Sequence, residues 1–85
     1  MLSPDKKKRI IEKFKTHGTD TGSPQVQIAI LTSEVKELTE HLKTHKKDFS
    51  SRRGLIKKVS ERRRLMKYLK REDAPAYDAL MTKLA

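Results

Sequence analysis

Between residues 28 and 42, apolar side chains recur at steps of three, four, three and four positions. They are Ile28, Leu31, Val35, Leu38 and Leu42. This spacing places all of them on one face of an α-helix. Just before the pattern, Ser23-Pro24 has the residue types that favour an N-cap and a first helical position. The sequence therefore predicts a helix from Pro24 to about Lys43.

The remaining apolar residues indicate three more helices. Ser3-Pro4 repeats the start signal, and the turn-rich residues 16–22 follow the first short helix. A third helix is predicted from about Phe49 to Arg71, and residues 72–75 separate it from a last amphipathic helix. The apolar faces of these helices are formed by Ile10, Ile11 and Phe14, then by Leu55, Ile56, Val59, Leu65, Met66 and Leu69, and finally by Tyr77, Leu80, Met81 and Leu84.

These elements predict an all-α fold of four helices. Two long central helices are joined by a short connection, so they are expected to be antiparallel neighbours, with short N- and C-terminal helices packed across them. With 85 residues, we expect a single domain over residues 1–85. Gly54 lies inside the third helix, where it is expected to allow close approach of another helix or of a ligand.

Several classes of function are disfavoured. The chain has no cysteine for disulfides or thiolate metal sites, and no apolar run long enough to cross a bilayer. With no signal peptide visible, a soluble cytoplasmic protein without cofactor or membrane partner is expected. His41 and His45 can share a helix face, but two histidines do not complete a metal site. No phosphate-binding loop or nucleophile arrangement supports an enzyme.

Positive charge is concentrated in one stretch. Residues 43–71 hold 13 Lys and Arg against two acids, whereas the whole chain carries a net charge of +10. Such a local basic block on one helix is typical of a protein that binds a polyanion, because each phosphate contact releases condensed counterions. Nucleic acid is the expected partner.

Within this block, Arg64 is the preferred contact, because Lys57 and Arg71 lie seven residues to either side on the same helical stripe. Tyr68 falls close to this stripe and could stack on a base or ribose, or else be a core tyrosine. Arg62, Arg63 and Arg64 cannot all face one ligand. The alternative to a ligand contact is that one of them lies along the apolar face with its stem buried.

A second candidate set surrounds the connection between the long helices: His41, Asp48 and Ser51. Asp48 stands inside a cationic region, where a carboxylate would repel phosphate. Two interpretations stay open: an N-cap for the third helix, or an acceptor for a base edge. In the minor groove the distinctive donor is the guanine 2-amino group, and the RNA minor groove is wide and shallow enough for a loop to reach it.

Four blocks of the sequence resemble the family of bacterial small-subunit ribosomal protein fifteen. They are residues 22–29, 38–48, 51–55 and 62–65. The resemblance extends over essentially the whole chain, and the block at 38–48 is the most specific. It implies a four-helix protein, cytoplasmic and on the ribosome, that binds small-subunit (16S) ribosomal RNA early in assembly and organises a three-way junction.

The resemblance also implies the site residues. The junction would be contacted by Thr21, Gly22, Gln27, Arg64, Tyr68 and Arg71, and a G·U/G·C step would be read by His41, Asp48 and Ser51. Further implied partners are neighbouring small-subunit proteins, large-subunit ribosomal RNA and the chain's own messenger RNA. Position 34, often Arg in relatives, is Glu34 here, so that contact is not expected.

Two other functions fit the charge pattern without the resemblance. A helical DNA-binding regulator would prefer duplex DNA to folded RNA at equal salt. A helical adaptor for an acidic protein would co-purify with that protein without RNA.

Overall fold

The computed structural model describes residues 3–15 and 22–84. These residues form four α-helices: Pro4–Phe14 (α1), Pro24–Thr44 (α2), Phe49–Glu72 (α3) and Ala74–Leu84 (α4). No strand occurs in either described range. The predicted all-α class with two long central helices is confirmed.

The first two helices begin where the sequence predicts. The side-chain oxygen of Ser3 accepts the backbone N–H three residues ahead at 3.2 Å, and Ser23 does the same at 3.3 Å. In both cases proline occupies the next position, where its missing N–H costs no helical hydrogen bond. The caps therefore fix both helix starts locally.

The hydrophobic core lies at one end of the α2–α3 hairpin and receives side chains from all four helices. Its buried members are Phe14, Val26, Ile28, Ala29, Leu69 and Leu80. Because α2 and α3 are antiparallel, the start of α2 and the end of α3 meet here. We call this the core end and the opposite end, around residues 45–48, the bend end. Both terminal helices contribute to the core end, α1 against α2 and α4 against α3.

The bend end has little apolar burial. Among the described residues beyond Leu31 in α2 and before Leu69 in α3, Leu38 is the one buried apolar side chain. Polar contacts hold α1 and α2 together towards this end, since the Lys6 ammonium pairs with the Glu37 carboxylate. The apolar burial that stabilises the fold is thus concentrated at the core end.

Two expectations for α3 are wrong. Ile56 does not join the apolar face, because its side chain is 62% exposed. Leu55 and Ile56 point about 100° apart on the helix, and Leu55 is the one turned towards the interior. Gly54 does not mark close helix packing, because a Cβ built there would meet no atom within 4 Å.

No helix in residues 3–15 or 22–84 is both long enough and apolar enough to span a membrane.

Candidate RNA interface

At the bend end, Asp48 holds the three predicted base-reading residues together. One carboxylate oxygen accepts the Ser51 backbone N–H at 3.0 Å, which caps α3. The other accepts the Ser51 hydroxyl at 2.7 Å and lies 2.8 Å from Nε2 of His41. The N-cap interpretation of Asp48 is confirmed, and its second oxygen joins α2 to α3.

These hydrogen bonds determine where the protons lie. The Ser51 hydroxyl, the Ser51 backbone N–H and the His41 ring hold the pKa of Asp48 well below its usual range. Asp48 is therefore ionised at neutral pH and can only accept. It follows that Nε2 of His41 carries a proton and that the Ser51 hydroxyl directs its proton to Asp48.

The consequence is a cluster that offers acceptors to an incoming ligand. With its proton engaged, the Ser51 oxygen keeps lone pairs, and Nδ1 of His41 is an acceptor whenever Nε2 carries the ring's single proton. A shallow cavity of about 340 Å³, lined also by Glu37 and Leu38, gives access to the cluster. The His45 ring stacks on His41, with centroids 4.3 Å apart and planes 8° from parallel, and this supports the ring plane.

A second group of predicted residues lies in a groove between α2 and α3, towards the core end. Gln27 and Arg64 line this groove, whose volume is about 530 Å³. The Gln27 side-chain amide donates to the backbone carbonyl of Gly22, so these two predicted residues are in direct contact. Thr21 lies outside the described residues.

The α2/α3 groove has mixed charge. Besides Arg64 it contains Lys7, Lys58, Glu34 and Glu61. Lys58 and Glu34 form an ion pair of 3.4 Å across the two helices, with both side chains largely covered. Glu34 therefore has a partner within the chain.

On α3, Lys57, Arg64 and Arg71 lie seven residues apart on one exposed stripe, which we call the junction stripe. Tyr68 belongs to this stripe and is 46% exposed, so the core interpretation of this tyrosine is wrong. The Arg71 guanidinium lies 5.7 Å from the centre of the Tyr68 ring. The stripe therefore combines cations with one accessible aromatic face.

In the run Arg62-Arg63-Arg64, one arginine packs within the protein and two face solvent. Arg62 is half-buried, and its Nε donates to the Thr32 hydroxyl of α2 at 2.8 Å. Arg63 and Arg64 are exposed on neighbouring parts of the surface. Arg62 is thus the arginine that lies along the apolar face.

Two neighbours of the bend cluster were not singled out as site residues from the sequence. Glu37 lies four residues before His41 and His45 four residues after it, so both share its helix face. That spacing is the signal that could have identified them. Within the described part of the chain, no group of three or more His, Asp or Glu residues could hold a metal ion.

Comparison with known proteins identifies the family. A model of the family described as ribosomal protein S15 matches residues 6–85. The chain belongs to the ribosomal protein S15 family.

Curated relatives match nearly end to end. The small ribosomal subunit protein uS15 of Carboxydothermus hydrogenoformans is 58% identical over 83 residues, covering 98% of this chain and 93% of the relative. The uS15 proteins of Caldanaerobacter subterraneus subsp. tengcongensis and Bacillus thuringiensis are 57% and 55% identical, covering 99% and 98% of this chain and 96% and 93% of their own lengths.

Membership of this family makes the chain a structural component of the ribosome and not an enzyme. The expectations of a non-catalytic protein and of a ribosomal, cytoplasmic location are confirmed on that basis. The alternative of a DNA-binding regulator loses its support.

Proposed function

We propose that this chain is an RNA-binding protein of the small ribosomal subunit that binds 16S ribosomal RNA at a three-way junction and fixes the angle between its helices. The observation that carries the proposal is the pair of separated surfaces on one hairpin. The bend cluster lies at one end of α3 and the junction stripe runs towards the other. Ser51 and Arg71 are 20 residues apart on the same helix, which corresponds to about 30 Å.

The bend cluster supports the reading of a base pair. The acceptors of Ser51 and His41 are complementary to the guanine 2-amino group, the donor that distinguishes G·C and G·U pairs from A·U pairs in the minor groove. The shallow cavity suits the wide minor groove of A-form RNA. The ionised Asp48 acts by orienting these two partners.

The junction stripe and the adjacent Gly22–Gln27 contact support binding of the RNA backbone and of unstacked bases. Arg64 and Arg71 supply planar guanidinium groups suited to phosphate, and Tyr68 offers a face for a base or ribose. Two binding surfaces at a fixed separation bind one arrangement of the RNA junction more tightly than other arrangements. The population of RNA conformations shifts accordingly towards that arrangement.

The test is a specificity experiment with Asp48→Asn. Asparagine is as good an N-cap as aspartate, so α3 keeps its start. Its single carbonyl oxygen cannot serve all three donors, so the orientation of His41 and Ser51 is lost. Filter binding or calorimetry should show on the order of a tenfold loss on the cognate junction RNA, and a much smaller loss when the G·U/G·C step is replaced by A·U pairs.

Lys57→Ala is the matched control for backbone contact. It should weaken binding to both RNAs by similar factors and flatten the salt dependence by about one unit. If Asp48→Asn loses equal affinity on the cognate and the replaced RNA, the cluster does not read bases.

The contacts with large-subunit ribosomal RNA, with neighbouring small-subunit proteins and with the chain's own messenger RNA stay predictions of the same proposal. Footprinting on naked small-subunit RNA reports the junction contact alone. Footprinting on the assembled small subunit and then on the complete ribosome adds the contacts with neighbouring proteins and with large-subunit RNA.

A further inference from the structure

α3 carries a second stripe whose residues come one position before those of the junction stripe in the sequence. The function proposed above does not use this second stripe. It consists of Phe49, Ile56, Arg63 and Lys70, each seven residues from the next. Seven residues are nearly two helical turns, so the four side chains line one face over about 32 Å. The face points about 100° around α3 from the junction stripe.

All four side chains of this second stripe are exposed. Phe49 is 60% exposed and Ile56 is 62% exposed. Among the described residues, the third large apolar side chain that is exposed is Tyr68, which belongs to the junction stripe. These two exposed apolar side chains share one narrow face of α3, so a single extended ligand lying along that face could cover both.

At its C-terminal half, the second stripe borders a groove between α3 and α4 with a volume of about 320 Å³. Val59, Met66 and Tyr77 give the groove apolar surface. Its remaining lining residues are Arg62, Arg63, Lys67 and Lys70.

The charge of this α3/α4 groove differs from that of the α2/α3 groove. None of its described lining residues is acidic, and Arg63, Lys67 and Lys70 form no ion pair with a described carboxylate. Cations collected in one groove without a counter-charge repel each other, and a polyanionic ligand relieves that repulsion.

The N-terminal end of the second stripe adds an aromatic site. The Arg52 guanidinium lies 5.8 Å from the centre of the Phe49 ring. A hydrogen bond of 2.8 Å from Arg52 to the Lys46 carbonyl holds that guanidinium beside the bend. An exposed ring next to a fixed guanidinium is a surface on which a nucleobase can stack.

We propose that the second stripe and the α3/α4 groove bind a single-stranded segment of RNA, separate from the strands on the junction stripe. The phosphates lie on Arg63 and Lys67, and the bases stack on Phe49 and pack against Ile56. A duplex fits poorly, because its bases are stacked inside and cannot reach these side chains. An acidic peptide would match the charge, but the aromatic ring and the ribosomal family favour RNA.

This inference rests on the proposed function, because it adds a second RNA contact to the same chain. The test therefore starts from the full chain saturated with unlabelled junction RNA, whose formation is measured first. A fluorescently labelled, unstructured oligonucleotide of about eight A and C residues is then titrated in, and anisotropy reports its binding. Failure of the first step contradicts the proposed function, whereas failure of the second alone contradicts the second stripe.

The main variant is Arg63→Ala/Lys67→Ala. Both side chains are exposed, so the fold is retained. It should bind the oligonucleotide at least fivefold more weakly and flatten its salt dependence by about one unit or more, because two phosphate contacts are removed. The matched control is Lys8→Ala/Arg9→Ala on α1, which removes one Lys and one Arg from another exposed site and should leave oligonucleotide binding nearly unchanged.

Phe49→Ala separates stacking from charge. It should weaken oligonucleotide binding roughly fivefold to 100-fold without changing the salt dependence. The proposal is overturned if the α1 control loses as much as the main variant, or if the saturated complex does not bind the oligonucleotide. It is also overturned if an oligoglutamate of equal charge displaces the RNA as efficiently as unlabelled oligonucleotide does, because the surface would then be a protein-binding site.

Discussion

The core end and the bend end of the α2–α3 hairpin are held together by different forces. At the core end, six buried apolar side chains from four helices meet. At the bend end, one carboxylate joins the helices through hydrogen bonds to Ser51 and His41. Apolar packing has no fixed direction, whereas hydrogen bonds orient the groups that make them. The buried apolar surface is thus concentrated at one end, and the oriented polar groups that we propose for RNA recognition lie at the other.

The strongest test of this comparison is to shorten one apolar side chain at each end. Ile28 is fully buried at the core end, and Ile28→Ala should lower the free energy of unfolding by about 2–5 kcal/mol, since it leaves a cavity. Leu42 is only half-buried near the bend, so Leu42→Ala should cost less than half as much. Urea unfolding followed by circular dichroism measures both. Equal losses would show that the bend end has a core of its own.

A smaller effect on stability is expected when the helix propensity of α3 is raised in the half that lies near the bend end. Gly54→Ala should stabilise the protein by about 1 kcal/mol, because alanine is the stronger helix former and its Cβ meets open space. Gly22→Ala is the control, since Gly22 precedes α2 and gains no helix propensity. The melting temperature reports both variants.

The same Gly54→Ala variant also tests the remaining role of this glycine. If junction RNA binds it as well as the unchanged chain, no ligand approaches the backbone closely at that position. A melting temperature that falls would contradict the open surroundings of Gly54.

The smallest expected effect is a change in stability at acidic pH. The pKa of Asp48 is lower in the folded chain than in the unfolded chain, so its contribution to stability is present at neutral pH. That contribution is lost as the pH falls below about 3.9, the ordinary aspartate value. The stability difference between the unchanged chain and Asp48→Asn should therefore shrink between about pH 6 and pH 2.

Urea titrations across that pH range, with Asp78→Asn on α4 as the exposed control, measure this difference. A gap that widens in acid would mean that the Asp48 contacts are not those described.

Local signals in the sequence predict much of this fold. The Ser-Pro pairs at positions 3–4 and 23–24 locate two helix starts to the residue, because a cap depends only on its own backbone. The prediction that Ile56 joins the apolar face is wrong because burial depends on tertiary packing and not on the local backbone. Leu55 and Ile56 are adjacent, and only the position of α2 decides which of them is covered.

The candidate site could be predicted only in part. Residue types and spacing indicate that His41, Asp48 and Ser51 act together, and the structure brings them within hydrogen-bonding distance. The proton positions and the stacking of His45 depend on side-chain geometry across two helices. The seven-residue spacing is enough to predict the junction stripe. The second stripe needed the exposure of Phe49 and Ile56, which the charge pattern does not give.

The ion pair between Lys6 and Glu37 connects α1 to the bend cluster, because Glu37 also lines the cavity of that cluster. While α1 is docked, an ammonium group balances the carboxylate beside the place where a phosphate-bearing strand would approach. Without the Lys6 ammonium, the same cavity would carry an uncompensated carboxylate, which repels phosphate. The charge balance beside the bend cluster therefore depends on a side chain that α1 supplies.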